Sequence, residues 1–281
     1  MTFFTRPMLR GAHYHNPVMT NEMLRKVAPS IFATEAHDSR SARYTYIPTV
    51  EILNGLRKEG FQPVHAMQSR ARDASKREHT KHLIRLRHES TTARAVGDEF
   101  GEIVLINSHD GTSSYQMTAG MFRLACLNGL VVGSRLVEDI RVPHKGNIQH
   151  DVIEGAFRVL DQLPKVAGSV DAMKSVQLVQ PLQLAYANAA IAMRYDTSEG
   201  EPAPVKPEQL LRPRRSADTG SDVWTVFNRV QENMIRGGLR VQSQNASGRR
   251  MSTREVQGID QSQAINRGLW TLAEELRKLA A

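Results

Sequence analysis

FQPVHAMQSRARDASKREHTKHLIRLRHE (61–89) and EIVLINSHDGTSSYQM (102–117) are the stretches whose reading decides the fold. Residues 81–89 alternate His82, Ile84, Leu86 and His88 with Leu83, Arg85 and Arg87. A period of two puts alternate side chains on opposite faces, which is the signature of a strand. Phe61 to Arg70 reads as the preceding strand, and RARDASKREHT (70–80) as a charged hairpin tip between the two. Glu102 to Ser108 is a third strand. His109-Asp110-Gly111-Thr112 supplies an Asp-Gly turn, and Ser113 to Met117 pairs back. Short strands joined by tight turns predict a mostly antiparallel sheet.

On the N-terminal side, residues 1–20 show little periodicity and read as an arm. Asn21 to Val27 predicts a short helix capped by Thr20 or Asn21. Thr49 is a good N-cap for Val50, Leu53 and Leu56 at helical spacing, and Gly60 ends that helix. On the C-terminal side, Met121, Leu124, Ala125 and Leu127 predict a helix over 119–128, stopped by Gly129, and Val131 to Val142 a strand ending at Pro143. From residue 147 the period is helical. Val152, Ala156, Leu160 and Leu163 form one stripe, and Pro181 opens an Ala-rich helix that ends near Arg194. Val223, Phe227, Val230 and Met234 define a further helix before Gly237-Gly238, and Ile265, Leu269, Leu272, Leu276 and Leu279 define the last. A connector at 197–209 and a basic loop at 239–257 separate them. The predicted architecture is α+β: a mostly antiparallel β-sheet with helices packed on one side, followed by a helical C-terminal region. The expected organisation is an arm (1–20), an α+β core with a basic hairpin (21–146) and a helical region (147–281).

Of the 281 residues, 40% are hydrophobic and 23% charged, which excludes a wholly disordered chain. The formal net charge is +8. It is unevenly placed: residues 57–94 hold 10 basic and 4 acidic side chains, and residues 205–254 again 10 and 4. Two basic segments therefore account for the whole excess, as expected of a footprint for phosphates. The alternative is a pair of solvated, arginine-rich faces. Cys126 is the single cysteine, so no intramolecular disulfide or four-cysteine zinc site can form. MTFFTRPMLRGAHYH (1–15) lacks the apolar core of a secretory leader, and no run approaches the roughly 18 apolar residues of a membrane span, so a cytoplasmic location is expected.

Enzyme signatures are weak. His79-Thr80-Lys81-His82 does not have the i, i+4 histidines of a metalloprotease helix, and on a strand residues three apart face opposite ways. Ser108, His109 and Asp110 are consecutive and cannot converge as a triad, so the hairpin turn explains them better. Cys126 sits between Ala125 and Leu127 and reads as a small buried hydrophobe. Neither a phosphate-binding GxxxxGK[ST] loop nor a GxGxxG after a strand occurs. No catalytic residue, metal site or cofactor is expected.

Binding residues are better represented. Arg70, Arg72, Lys76, Arg77, Lys81, Arg85 and Arg87 lie on the hairpin, with Lys81, Arg85 and Arg87 on one face of its second strand. Tyr44, Tyr46, Phe61 and Tyr115 flank it and are candidates to stack on unpaired bases, with core packing as the alternative. Arg212, Arg214 and Arg215 join Arg249, Arg250 and Arg254 in a second cluster suited to tracking phosphates rather than reading bases.

HDSRSARYTYIPT, GFQPV, REHTKHLIRLR, NSHDGTSSYQM, GMFRLACLNGLVVG, RVPHKG, WTVFNRVQENMIRGGL, TREVQGID and NRGLWTLAE together resemble the phage- and plasmid-like proteins of domain-of-unknown-function family 932, from about residue 20 to the C-terminus. The resemblance implies a mobile-element context and a bacterial cytoplasm, and carries no catalytic residues with it. The order of elements is also similar, at the level of topology, to single-strand annealing recombinases: a helix (49–59), a hairpin (61–70 with 81–89), a further strand pair (102–117) and a helix (119–129) across the sheet. That likeness implies a ring or filament of like subunits. The function these residues point to is binding of nucleic acid, with single-stranded DNA favoured, in recombination or annealing and without a covalent step. A protein-interaction or anti-host-defence factor with a basic surface is the alternative, and a metal-dependent nuclease using His82 or Asp110 the third.

Overall fold

The computed structural model describes residues 18–35, 37, 46–70, 76–91, 99–123, 130–131, 138–195, 203–244 and 250–280. Helix α1 (Asn21–Val27) starts where the sequence predicts, with the Thr20 hydroxyl accepting from the Met23 amide at 3.3 Å. A 3₁₀ turn (Pro29–Phe32) and α2 (Thr49–Lys58) precede the sheet. The sheet strands are β1 (Phe61–Gln68), β2 (His82–His88), β3 (Glu99–Asn107), β4 (Tyr115–Arg123), β5 (Leu130–Val131) and β6 (Ile140–Val142). All pair antiparallel in the order β1-β2-β3-β4-β5, with β6 also on β4.

Over 119–123, the described part of the helix expected at 119–128, a strand forms instead. Residues 119–123 continue β4, because their pattern has a period of two. Tyr115, Met117, Ala119 and Met121 enter the main core, while Thr118 and Phe122 face the other way. Residues 124–129, including Cys126, lie outside the described residues. Residues 119–123, where the annealing-recombinase topology would begin a helix across the sheet, are therefore strand. The strand expected at 131–142 appears at its two ends, β5 and β6, both running along β4.

Helices α3 (Ile148–Leu160) and α4 (Leu163–Ser175) pack on β3 and β4, and α2 packs on β1 and α3. The α3 contact is close, so that a side chain at Gly155 would have to displace the end of Met117. A Cβ on Gly155 would stand 2.5 Å from Met117 Cε. Sequence periodicity shows the α3 stripe but misses α4 as a separate helix, since Pro164 at its start restarts the register. Helices α5 (Gln180–Arg194), α6 (Pro207–Leu210), α7 (Val223–Arg236) and α8 (Ile259–Ala280) complete the main core. Residues 239–257 are not only loop, because β7 (Arg240–Gln244) and β8 (Arg250–Ser252) pair as a second, two-stranded sheet. The far face of the large sheet carries a smaller apolar cluster of Leu83, Val104, Ile106 and Phe122, closed by Ile259 at the start of α8. No helix among the described residues is long and apolar enough to cross a membrane.

Candidate functional site

Antiparallel pairing of β1 and β2 places the foot of the first basic segment. The Ser69 amide donates to the Lys81 carbonyl at 2.8 Å, which sets Arg70 beside Lys81 at the base of the hairpin. The second basic segment reaches the same place from the other end of the chain. Gly237 and Gly238 leave α7 at φ +64° and +74°, the left-handed region, and let residues 237–239 run against 253–254. Gly238 N donates to Thr253 O and Thr253 N to Leu239 O, each at 2.8 Å. The Arg194 guanidinium donates to the carbonyls of Met234 and Arg254, tying that strand to the end of α7. The result is a polar cleft of about 1010 Å³ walled by Arg70 on one side and by Ser252, Thr253, Arg254, Glu255 and Gln261 on the other. Beside it, Lys81 at the foot of the hairpin donates to Asp260, the neighbour of Gln261 on the wall.

Gly237 is packed closely behind this wall, since a Cβ there would lie 2.5 Å from the Arg254 carbonyl oxygen. Gly237→Ala is expected to lower stability by about 1–3 kcal/mol, from the strained φ and the displaced strand. Urea unfolding of the variant measures it, and a loss below a few tenths of a kcal/mol overturns the assignment.

Not every predicted cation is free for a partner. Arg85 Nε and Arg87 Nη2 donate to the two oxygens of Glu102, each at 2.6 Å, and Glu102 is wholly buried. Their guanidinium carbons lie 3.5 and 3.7 Å over the rings of Phe122 and Phe100. Arg214 donates to Asn233 and to the Gly237 carbonyl, and Arg215 to Glu232 and Asp218, so both brace α7. Burial accompanies these contacts, and it lowers the Arg85 and Arg214 pKa values from the ordinary arginine range. Lys76 is half-buried, while Arg70, Arg77, Arg212 and Arg254 are exposed. Arg72, Arg249 and Tyr44 lie outside the described residues, and Arg250 opens β8. The expectation that Phe61 and Tyr115 stack on bases is corrected, because both are wholly buried in the main core. Tyr46 is half-buried, and its hydroxyl donates to the Ala33 carbonyl.

Sequence reasoning missed a second constellation, at the end of the sheet beyond β2 and β3. Thr49, predicted as an N-cap, is instead the first residue of α2, and its buried hydroxyl is the hub of a hydrogen-bond network. Asn107 Nδ2 and His109 Nε2 donate to it at 3.1 and 3.0 Å, and it donates to His82 Nε2 at 3.0 Å. This polarity follows from His109 Nδ1, which has no partner among the described residues and so leaves the ring hydrogen on Nε2. The Thr49 hydroxyl then donates to His82 Nε2, and the His82 Nδ1 hydrogen faces Ser30 Oγ at 2.9 Å and the Thr80 carbonyl at 3.3 Å. His144 Nε2 then donates to Asn107 Oδ1 at 3.0 Å. His37 stacks edge-on to His79 at 5.4 Å between ring centroids, and Tyr46 edge-on to His109 at 5.1 Å. Burial pushes the His82 pKa down to about 4. Burial and then the neighbouring His82, His144 and His79 push His109 to about 2. The only sign in the sequence is NSHDG (107–111), since the other members come from positions about 25 to 70 residues away. No group of three or more His, Cys, Asp or Glu among the described residues is placed to hold a metal ion.

Two proteins of Escherichia coli strain K12 are similar along nearly the whole chain. The UPF0380 protein YfjQ is 50% identical over 258 residues, covering 92% of this chain and 91% of its own. The UPF0380 protein YafZ is 49% identical over 258 residues, with the same coverage. No solved structure matches. Residues 36–270 match the family described as "Domain of unknown function (DUF932)", and the chain belongs to that family.

Proposed function

We propose that this chain is a nucleic-acid-binding protein of mobile elements that holds single-stranded DNA for recombination or annealing. It does so in the bacterial cytoplasm as a homo-oligomer, with no covalent step of its own. One observation carries the reading: two basic segments about 180 residues apart in sequence meet in a single polar cleft, with Arg70 on one wall and Arg254 on the other. Neither arginine makes an ion pair among the described residues, so both are available to phosphates. The hydroxyl and amide groups of Ser252, Thr253 and Gln261 supply neutral donors on the same surface. Phosphate neutralisation releases counterions, so affinity must fall as salt rises.

Fluorescence anisotropy with single- and double-stranded oligonucleotides over a salt series tests this. Wild type is expected to prefer the single strand. Arg70→Ala with Arg254→Ala is expected to weaken binding at least tenfold and to flatten the slope of log affinity against log salt by about 1.4, at roughly 0.7 per phosphate contact. Absence of binding at about 50 mM salt, or binding that salt does not change, sinks the reading.

A further inference from the structure

We propose that Lys81, at the edge of the cleft between the hairpin foot and Gln261, is a phosphate-binding ammonium that Asp260 occupies until the strand arrives, so that binding exchanges the Asp260 carboxylate for a phosphodiester on the same lysine. The inference rests on the nucleic-acid reading above and adds to it the residue that the strand displaces. Lys81 Nζ donates to both oxygens of Asp260 at 2.8 Å. A carboxylate presenting two oxygens to one ammonium has the charge and donor demand of two non-bridging phosphate oxygens.

The two partners are unequally held. The Lys81 side chain is 13% exposed and that of Asp260 74%. Lys81 stands at the fixed foot of the hairpin, where its carbonyl accepts from Ser69 N and the preceding Thr80 hydroxyl donates to Ser69 O at 3.1 Å. Its backbone is held there and its stem is largely covered, whereas the Asp260 side chain faces water. Released from Lys81, that carboxylate remains in the first turn of α8, a favourable place for negative charge. The exchange therefore returns an already exposed carboxylate to water while the covered ammonium passes to the phosphate. The cleft wall does not depend on this pair. Ile259, 1% exposed against Leu83, Val104, Ile106 and Phe122, fixes the start of α8 to the sheet.

Asp260→Asn, Glu255→Gln and Lys81→Met in the full chain separate this from general electrostatics. Glu255 walls the same cleft and makes no ion pair among the described residues, so its variant removes an equal charge without releasing Lys81. The probe is a fluorescein-labelled oligothymidylate of about 30 nucleotides, titrated between about 50 and 200 mM NaCl. Asp260→Asn is expected to tighten binding about three- to tenfold at the lowest salt, and Glu255→Gln by less than about twofold. In a Lys81→Met background, Asp260→Asn is expected to have no effect. If Asp260→Asn weakens binding, leaves it unchanged, or gains as much without Lys81, the exchange is overturned while the nucleic-acid reading stands. If wild type binds no oligonucleotide, both fall.

Discussion

Glu102→Ala is expected to destabilise the fold by about 3–5 kcal/mol, the largest effect of any single substitution proposed for this chain. The reason is the cost of unpaired charge in a dry place. Glu102 is 0% exposed and sits between Arg85 and Arg87, with one carboxylate oxygen on each guanidinium. Arg85 is itself 4% exposed and lies flat on Phe122. Burial lowers its pKa, and the Glu102 charge is the main influence opposing that shift. Removing the carboxylate leaves a buried guanidinium at Arg85 and a largely covered one at Arg87 that repel each other and have lost their acceptor. Glu102→Gln keeps the shape but not the charge and is expected to recover only part of the loss. Replacing Arg85, Arg87 and Glu102 together by leucine or methionine is expected to be nearly neutral, because an apolar trio needs no desolvation. Urea unfolding of the three variants at neutral pH is the measurement. A Glu102→Ala loss under about 1 kcal/mol shows that the network is dispensable. The same geometry predicts that Arg85→Ala lowers stability and leaves the salt dependence of oligonucleotide binding unchanged.

Periodicity and turn chemistry make the sheet legible in the sequence. The alternation of β2 and the Asp-Gly turn before β4 locate its centre, and Gly111 indeed takes φ +77° in that turn. The same alternation hides its chemistry. Leu83, Arg85 and Arg87 share a face, as their odd numbers require, but a sequence does not say whether that face meets water. What covers it comes from Ile259, more than 170 residues away, and its neutralising charge from Glu102 on the next strand. The helix expected over 119–128 gives way to strand over 119–123 for a similar cause. Met121 and Leu124 fit a helical stripe, yet pairing of residues 116–123 with Glu99–Ile106 on β3 supplies a ladder of hydrogen bonds, and the ladder outweighs local preference. The cleft is half legible. Charge counting finds both basic segments, while their meeting depends on the backbone turn at Gly237-Gly238 and on Arg194, which no charge count singles out. Thr49 stands out as a polar residue at a helix start, but its partners, His82, Asn107 and His109, are 33 to 60 residues away.

That network makes the fold acid-sensitive well above the range where carboxylates titrate, which is the second large effect. His82 and His109 are neutral in the folded chain, with pKa values of about 4 and about 2, against the ordinary 6.5. Below pH 6.5 the unfolded chain therefore takes up protons that the folded chain refuses. The stability these groups contribute is fully present above pH 6.5 and falls as the pH drops toward the folded values. Each pH unit below the unfolded pKa costs about 1.4 kcal/mol per histidine, so each loses on the order of 2 kcal/mol between pH 7 and pH 5. The folded state has no easy way to accept the charge. Protonated His82 would turn its Nε2 into a donor against the Thr49 hydroxyl hydrogen, and protonated His109 would gain an Nδ1 hydrogen with no partner among the described residues. Partial burial would raise the Asp110 pKa, but hydrogen bonds from Thr112 hold it below the usual carboxylate value. It loses its contribution only below about pH 4 and stays out of this window. Urea midpoints at pH 7, 6 and 5 should fall by a total equivalent to about 3–4 kcal/mol, and His82→Gln should remove about half of that slope. A midpoint that does not move between pH 7 and pH 5 would mean that these two rings are not held neutral around Thr49.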